Sequence, residues 1–96
     1  MNSSKISLLA QIKKNAIYAV YGNSKIVEKG MALVVLDISE DDVHGLGVGI
    51  ITPKNFKINK EQFLNEIEKG TYLFVEVLPK FVVKEMKGIY KNNLKN

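Results

Sequence analysis

Short apolar runs separated by turn residues dominate the chain. Most follow the two-residue period of a strand rather than the 3.6-residue period of a helix. Ala16–Tyr21 (AIYAVY) reads as a strand, and Gly22-Asn23-Ser24 as a turn. Lys25–Glu28 reads as a short extended piece before a second turn at Lys29-Gly30. Met31–Ile38 is almost wholly apolar, which suits a strand buried on both faces. Ser39–His44 (SEDDVH) is an acidic turn, Gly45–Thr52 the next strand, and Pro53 its end. Thr71–Leu78 (TYLFVEVL) has two usable faces: Leu73, Val75 and Val77 on one, Tyr72, Phe74 and Leu78 on the other. Phe81–Met86, continuing to Tyr90 past Gly88, reads as a last strand after Pro79-Lys80.

Lys60–Lys69 is the one clear helix. Asn59 is placed to cap its first turn, with Gln62 three residues on as in a capping box. Ile58 and Phe63 are spaced as a hydrophobic staple, and Gly70 is the expected stop. Phe63, Leu64 and Ile67 make a narrow apolar stripe. Lys5–Lys14 fits either period, and its closeness to Ala16–Tyr21 favours a strand. Met1–Ser4 and Lys91–Asn96 read as loose ends. The sum is a mainly β, α+β single domain over residues 1–96. The expected form is a small antiparallel β-barrel or meander of about six strands with one covering helix.

Within Gly45–Ile51, three glycines alternate with Leu46, Val48 and Ile50. On a strand, one face then carries branched side chains and the other carries none. A bare face admits a helix, a neighbouring strand or a ligand against the backbone. The G-x-G-x-G spacing with apolar flanks and a following Thr-Pro is not the dinucleotide fingerprint, which opens a helix. Close packing is therefore the simpler reading. Gly45, Gly47 and Gly49, with Asp37 and Ser39 upstream, stand as the candidate ligand or partner surface.

Composition narrows the chemistry. A 96-residue chain supports one modest core. It has no cysteine, which removes disulfides and thiolate metal sites and suits a reducing, cytoplasmic setting. Its longest apolar run, Met31–Leu36, is far short of a bilayer span of about 20 residues. All fourteen basic residues are lysine, so the two-pronged grip of arginine on phosphate or guanine is absent. Charge is uneven along the chain. Residues 31–50 hold four acids and no lysine, whereas residues 51–96 hold nine lysines and five glutamates.

No catalytic set emerges. His44 is the single histidine, and Ser39 and Asp37 lie near it on one turn, where three such residues rarely reach triad geometry. The acids Asp37, Glu40, Asp41 and Asp42 lack the glycine of a calcium loop, since the sixth position from Asp37 is Asp42. No enzyme, cofactor or metal is expected. The C-terminal lysines Lys80, Lys84, Lys87 and Lys91, interleaved with Phe81 and Tyr90, are the candidate nucleic-acid contact. The same lysines would also guard an edge strand against aggregation.

The stretch Val35–Val48 (VLDISEDDVHGLGV) resembles the second motif of PilZ domains, small bacterial β-barrels that bind cyclic di-GMP. Asp37, Ile38 and Ser39 match its opening, and Gly45 matches its glycine across a loop three residues longer than usual. The later layout is similar too: Lys69-Gly70 leads into TYLFVEVL, and a last segment runs to Lys87-Gly88. The family's first motif is a pair of arginines that grip the dinucleotide, and this chain has none. The resemblance therefore implies a degenerate, non-catalytic adaptor module that acts through a protein partner, without tight cyclic di-GMP binding. The alternative expectation is a small basic barrel that binds nucleic acid through the C-terminal lysines.

Overall fold

The structure is a computed structural model, and it describes residues 12–49 and 52–95. The expectations for Met1–Ser4 and for most of Lys5–Lys14 lie outside those residues. Five strands form one antiparallel sheet: β1 Ala16–Val20, β2 Ala32–Ile38, β3 Asp42–Val48, β4 Lys54–Asn59 and β5 Tyr72–Val77. Two helices accompany it, α1 Lys60–Glu68 and α2 Lys80–Lys95. The strand order is β4-β3-β2-β1-β5. β1 to β4 form a meander. α1 then carries the chain across one face, so that β5 pairs with β1 at the far edge. The sheet is open, not a barrel, and among the described residues it has five strands rather than six. The helices pack on opposite faces, because one buried cluster contains Phe63 and Leu64 of α1 and the other Val83 of α2.

The sequence makes these elements locally. In β1 every second residue is buried. In β2, Leu33 to Leu36 are all buried, as a strand between two covered faces requires. Ser39 and Asp42 close the β2–β3 hairpin, with the Ser39 N–H donating to the Asp42 carbonyl at 2.9 Å. α1 starts where expected: the Asn59 side chain accepts from the Glu61 and Gln62 N–H groups. It ends in a Schellman motif. Gly70, at φ +81°, donates to the Ile67 carbonyl, and Thr71 donates to that of Glu66.

Four segments depart from expectation. β3 begins at Asp42, inside the expected acidic turn Ser39–His44, and ends at Val48 rather than Thr52, because Asp42, Val43 and His44 already pair with β4. Residues 80–95 are helical, not a strand with a loose end, because Val83, Met86, Ile89 and Tyr90 fall on one helical face against the sheet. The β-branched residues near the start of this segment mimic a strand, but Pro79 opens the helix by accepting from the Val82 and Val83 N–H groups. Lys25–Glu28 is loop, since the Ser24 hydroxyl accepts from the N–H groups of Ile26 and Val27 and turns the chain. Lys54–Asn59 is an edge strand that contributes only Phe56 and Ile58 to the core, too few to stand out as a pattern.

The core on the α1 side centres on three rings. Phe63 meets Tyr18 edge-on at 5.3 Å and stacks on Tyr72 at 5.2 Å. Both tyrosine hydroxyls are partnered: Tyr18 accepts from the Lys13 N–H at 3.0 Å, and Tyr72 lies 2.6 Å from the Ser24 hydroxyl. Burial raises both phenol pKa values above the ordinary 10.0; the Lys13 N–H and the Ser24 hydroxyl each partly offset the rise, and the nearby Glu66 charge adds to it for Tyr72. A folded pKa above the unfolded one means this stabilisation is complete below about pH 10. It is lost as pH rises from there through the folded values. Urea unfolding should therefore show a steeper fall in stability above about pH 10 for the parent than for Tyr72→Phe, even though that variant starts from a lower baseline.

Candidate functional site

The glycine face is filled. Gly45 and Gly47 are buried on the α1 side of β3. A Cβ on Gly45 would run into the Val34 carbonyl of β2 and lie 3.0 Å from the Phe56 ring. One on Gly47 would lie 2.6 Å from Val27 Cγ1, and one on Gly49 2.8 Å from Met31 Cγ. The cover is thus Phe56 of β4 and the loop between β1 and β2, not the stripe of α1. Of the three glycines offered as a partner surface, only Gly49 is exposed.

Asp37 and Ser39 sit at the hairpin beside them, where their polar groups are occupied. The Ser39 hydroxyl contacts the Asp42 carbonyl at 3.3 Å, accepts from the Asp42 N–H at 3.2 Å, and lies 3.4 Å from His44 Nε2. Asp37 is opposite His44 in the ladder, and its carboxylate pairs with Lys14 at 3.8 Å. Asp42 pairs with Lys57 at 3.9 Å. All of this lies at the surface. Among the described residues, no group of three histidine or acidic side chains converges to hold a metal.

The lysines form a more coherent feature. Lys80, Lys84, Lys87 and Lys91 lie on α2, not on a strand edge. At 100° per residue their spacing places them within an arc of about 60°. They line an open groove of about 780 Å³ between α2 and the ends of β1 and β5. Val77, Leu78 and Val83 supply its apolar walls, and among the described residues no carboxylate lines it. Asn15 stands at its wall with φ +62°, its N–H donating to Val35 and its carbonyl accepting from Leu78. Its side-chain oxygen is buried without a hydrogen-bond partner. A smaller pocket shares Lys87 and Lys91 with it and is lined also by Lys14, Asp37 and Tyr90.

Sequence reasoning did not single out the outer edge of β5. Leu73, Phe74, Val75 and Val77 are 47–55% exposed. Phe74 pairs across with Tyr18 and Glu76 with Ile17, so the ladder bulges at Val75. The bulge sets Val77 opposite Ala16, on the face of Phe74, and breaks the simple alternation expected for this strand. A strand apolar on both faces reads as central. Its edge position follows only from the long crossover through α1. Among the described residues no helix is long and apolar enough to cross a membrane.

Comparison with known proteins returns no match: no family model, no curated protein and no solved structure resembles this chain significantly.

The packing of the glycines makes a graded prediction. Gly45→Ala, which meets rigid backbone, should cost about 3 kcal/mol. Gly47→Ala, which meets a loop side chain, should cost less. Gly49→Ala, at an exposed site against flexible Met31, should cost least. Chemical unfolding of the three variants checks this order.

Proposed function

We propose that this chain is a non-catalytic binding module that acts through protein–protein contact, with the outer edge of β5 as the contact. The observation that carries this reading is the contrast between the two edges of the sheet. β4 carries Lys54 and Lys57, both exposed, in the manner of a guarded edge. β5 has a single charge, Glu76, and exposes four large apolar side chains. A strand of this kind offers a row of backbone N–H and C=O groups together with apolar side chains. An extended segment of a partner can add to it as a sixth strand, with main-chain hydrogen bonds supplying affinity and alternate side chains supplying specificity.

The reading needs no catalytic residue and no nucleotide. It is compatible with the adaptor role that the PilZ resemblance implies, and the lack of arginine argues against tight cyclic di-GMP binding. The second reading, a nucleic-acid binder, draws on the alignment of Lys80, Lys84, Lys87 and Lys91 along one groove. It is the weaker of the two, because among the described residues no aromatic ring lines the groove itself for a base to stack on, and Tyr90 lines only the smaller pocket beside it.

Titration of the isotope-labelled protein with a short alternating Thr/Val peptide tests the first reading by amide chemical shifts. The expected result is perturbation concentrated at Tyr72–Val77, lost in a folded Val75→Lys variant. Perturbation elsewhere, no binding at millimolar peptide, or unchanged binding by Val75→Lys would overturn it.

A further inference from the structure

The β5 edge and the lysine groove are one continuous surface. Val77 belongs to both: it is 55% exposed at the end of β5, and it forms part of the groove wall together with Leu78 and Pro79. Resting on the proposed reading of β5, we infer that the added segment carries an acidic flank, and that this flank lies in the groove beneath Lys80, Lys84, Lys87 and Lys91.

Four lysines line one groove, and among the described residues no carboxylate lines it. Lys84 and Lys87 sit on adjacent turns of α2, and none of the four has an ion-pair partner among the described residues. A run of like charges beside apolar walls attracts a segment of opposite sign and holds its register. Lysine is a point donor, so it suits scattered carboxylates as well as it suits phosphates. The walls decide between the two. Val77, Leu78, Pro79 and Val83 are aliphatic, fitting the methylene groups of a peptide and giving a base nothing to stack on.

Every pairing in the sheet is antiparallel, and antiparallel ladders are slightly the more stable kind. The groove lies at the C-terminal end of β5. A segment added antiparallel to β5 brings its N-terminal end there. The acidic flank therefore precedes the strand-forming residues of the partner rather than following them.

Three synthetic peptides test this, each with the same alternating Thr/Val core: one preceded by a run of Glu, one followed by it, and one preceded by Gln. The first should bind the parent protein about tenfold more tightly than the Gln peptide, the sum of several modest surface pairs. Raising the salt concentration should shrink that advantage. The Lys84→Gln/Lys87→Gln variant should lose it while binding the Gln peptide as before. Equal binding by the peptide with trailing Glu, or an advantage that survives in the lysine variant, would overturn the inference and leave the β5 reading in place. Gln-peptide binding that Val75→Lys does not weaken would overturn the β5 reading itself. Displacement of the acidic peptide by oligothymidylate at lower concentration than by oligoglutamate would assign the groove to nucleic acid and reject the acidic flank.

Discussion

The Phe63 ring, held between Tyr18 and Tyr72, decides where the last third of the chain goes. α1 has nine residues, too few to be stable alone, so its place on the sheet comes from packing. Phe63 is fully buried, and its two ring contacts join β1, α1 and β5. That triangle carries the chain from the β4 edge, over the sheet, to the open side of β1. The tyrosine hydroxyls extend the constraint outwards. Tyr72 reaches Ser24 and steadies the loop that covers Gly47, and Tyr18 receives the Lys13 N–H just before β1. Burying the rings with their hydroxyls satisfied avoids the desolvation cost that an unpartnered phenol would bring.

The opposite face is held by different means. α2 places Val83 against Val34, Leu36 and Leu46, and its C-terminal half is fastened by side-chain amides. Asn93 donates to the Pro53 carbonyl and to Asn55 Oδ1, while Asn55 donates to the Tyr90 carbonyl. This clamp pulls the end of α2 onto the β4 edge, at the far side of the sheet from β5. The helix thus reaches from the end of β5 to the β4 edge. Its first turns are left beside the end of β5, where the groove opens.

Much of this was legible in the chain. Asn59, Phe63, Ile67 and Gly70 mark α1 and its ends, and the apolar run Met31–Ile38 marks a buried strand. Ala16–Tyr21 and Thr71–Leu78 also find their strands. What escaped has identifiable causes. Phe81-Val82-Val83 has strand-like composition, but the 4-3-4 spacing of Lys80, Lys84, Lys87 and Lys91 is helical, as is that of Val83, Met86 and Tyr90; period outweighs local propensity here. β4 has two buried residues and takes its shape from pairing with β3, a non-local fact. The open sheet follows from the length of the crossover, which periodicity does not encode. The candidate site was legible only in part: the lysines were visible as a set, the glycines were visible as a bare face that proves to be filled, and the β5 edge depends on strand order.

The placement of the lysines on α2 bears on what they do. A merely solvated helix face points directly away from the sheet. On α2 that outward arc holds Phe81, Glu85 and Asn92, all exposed, with Phe81 at 70%. The four lysines occupy the flank between this arc and the buried stripe of Val83 and Tyr90. Flanking lysines lay their methylene stems along the apolar wall and hold their ammonium groups at its rim. The outward arc carries one charge, Glu85, beside an apolar phenylalanine, whereas the four lysines gather on the flank. Mutual repulsion between four neighbouring cations opposes this arrangement, and a partner that neutralises them turns that cost into affinity. The same logic applies to the apolar edge of β5. The two unguarded features, one of charge and one of backbone, meet at Val77, and a single acidic, extended segment would satisfy both.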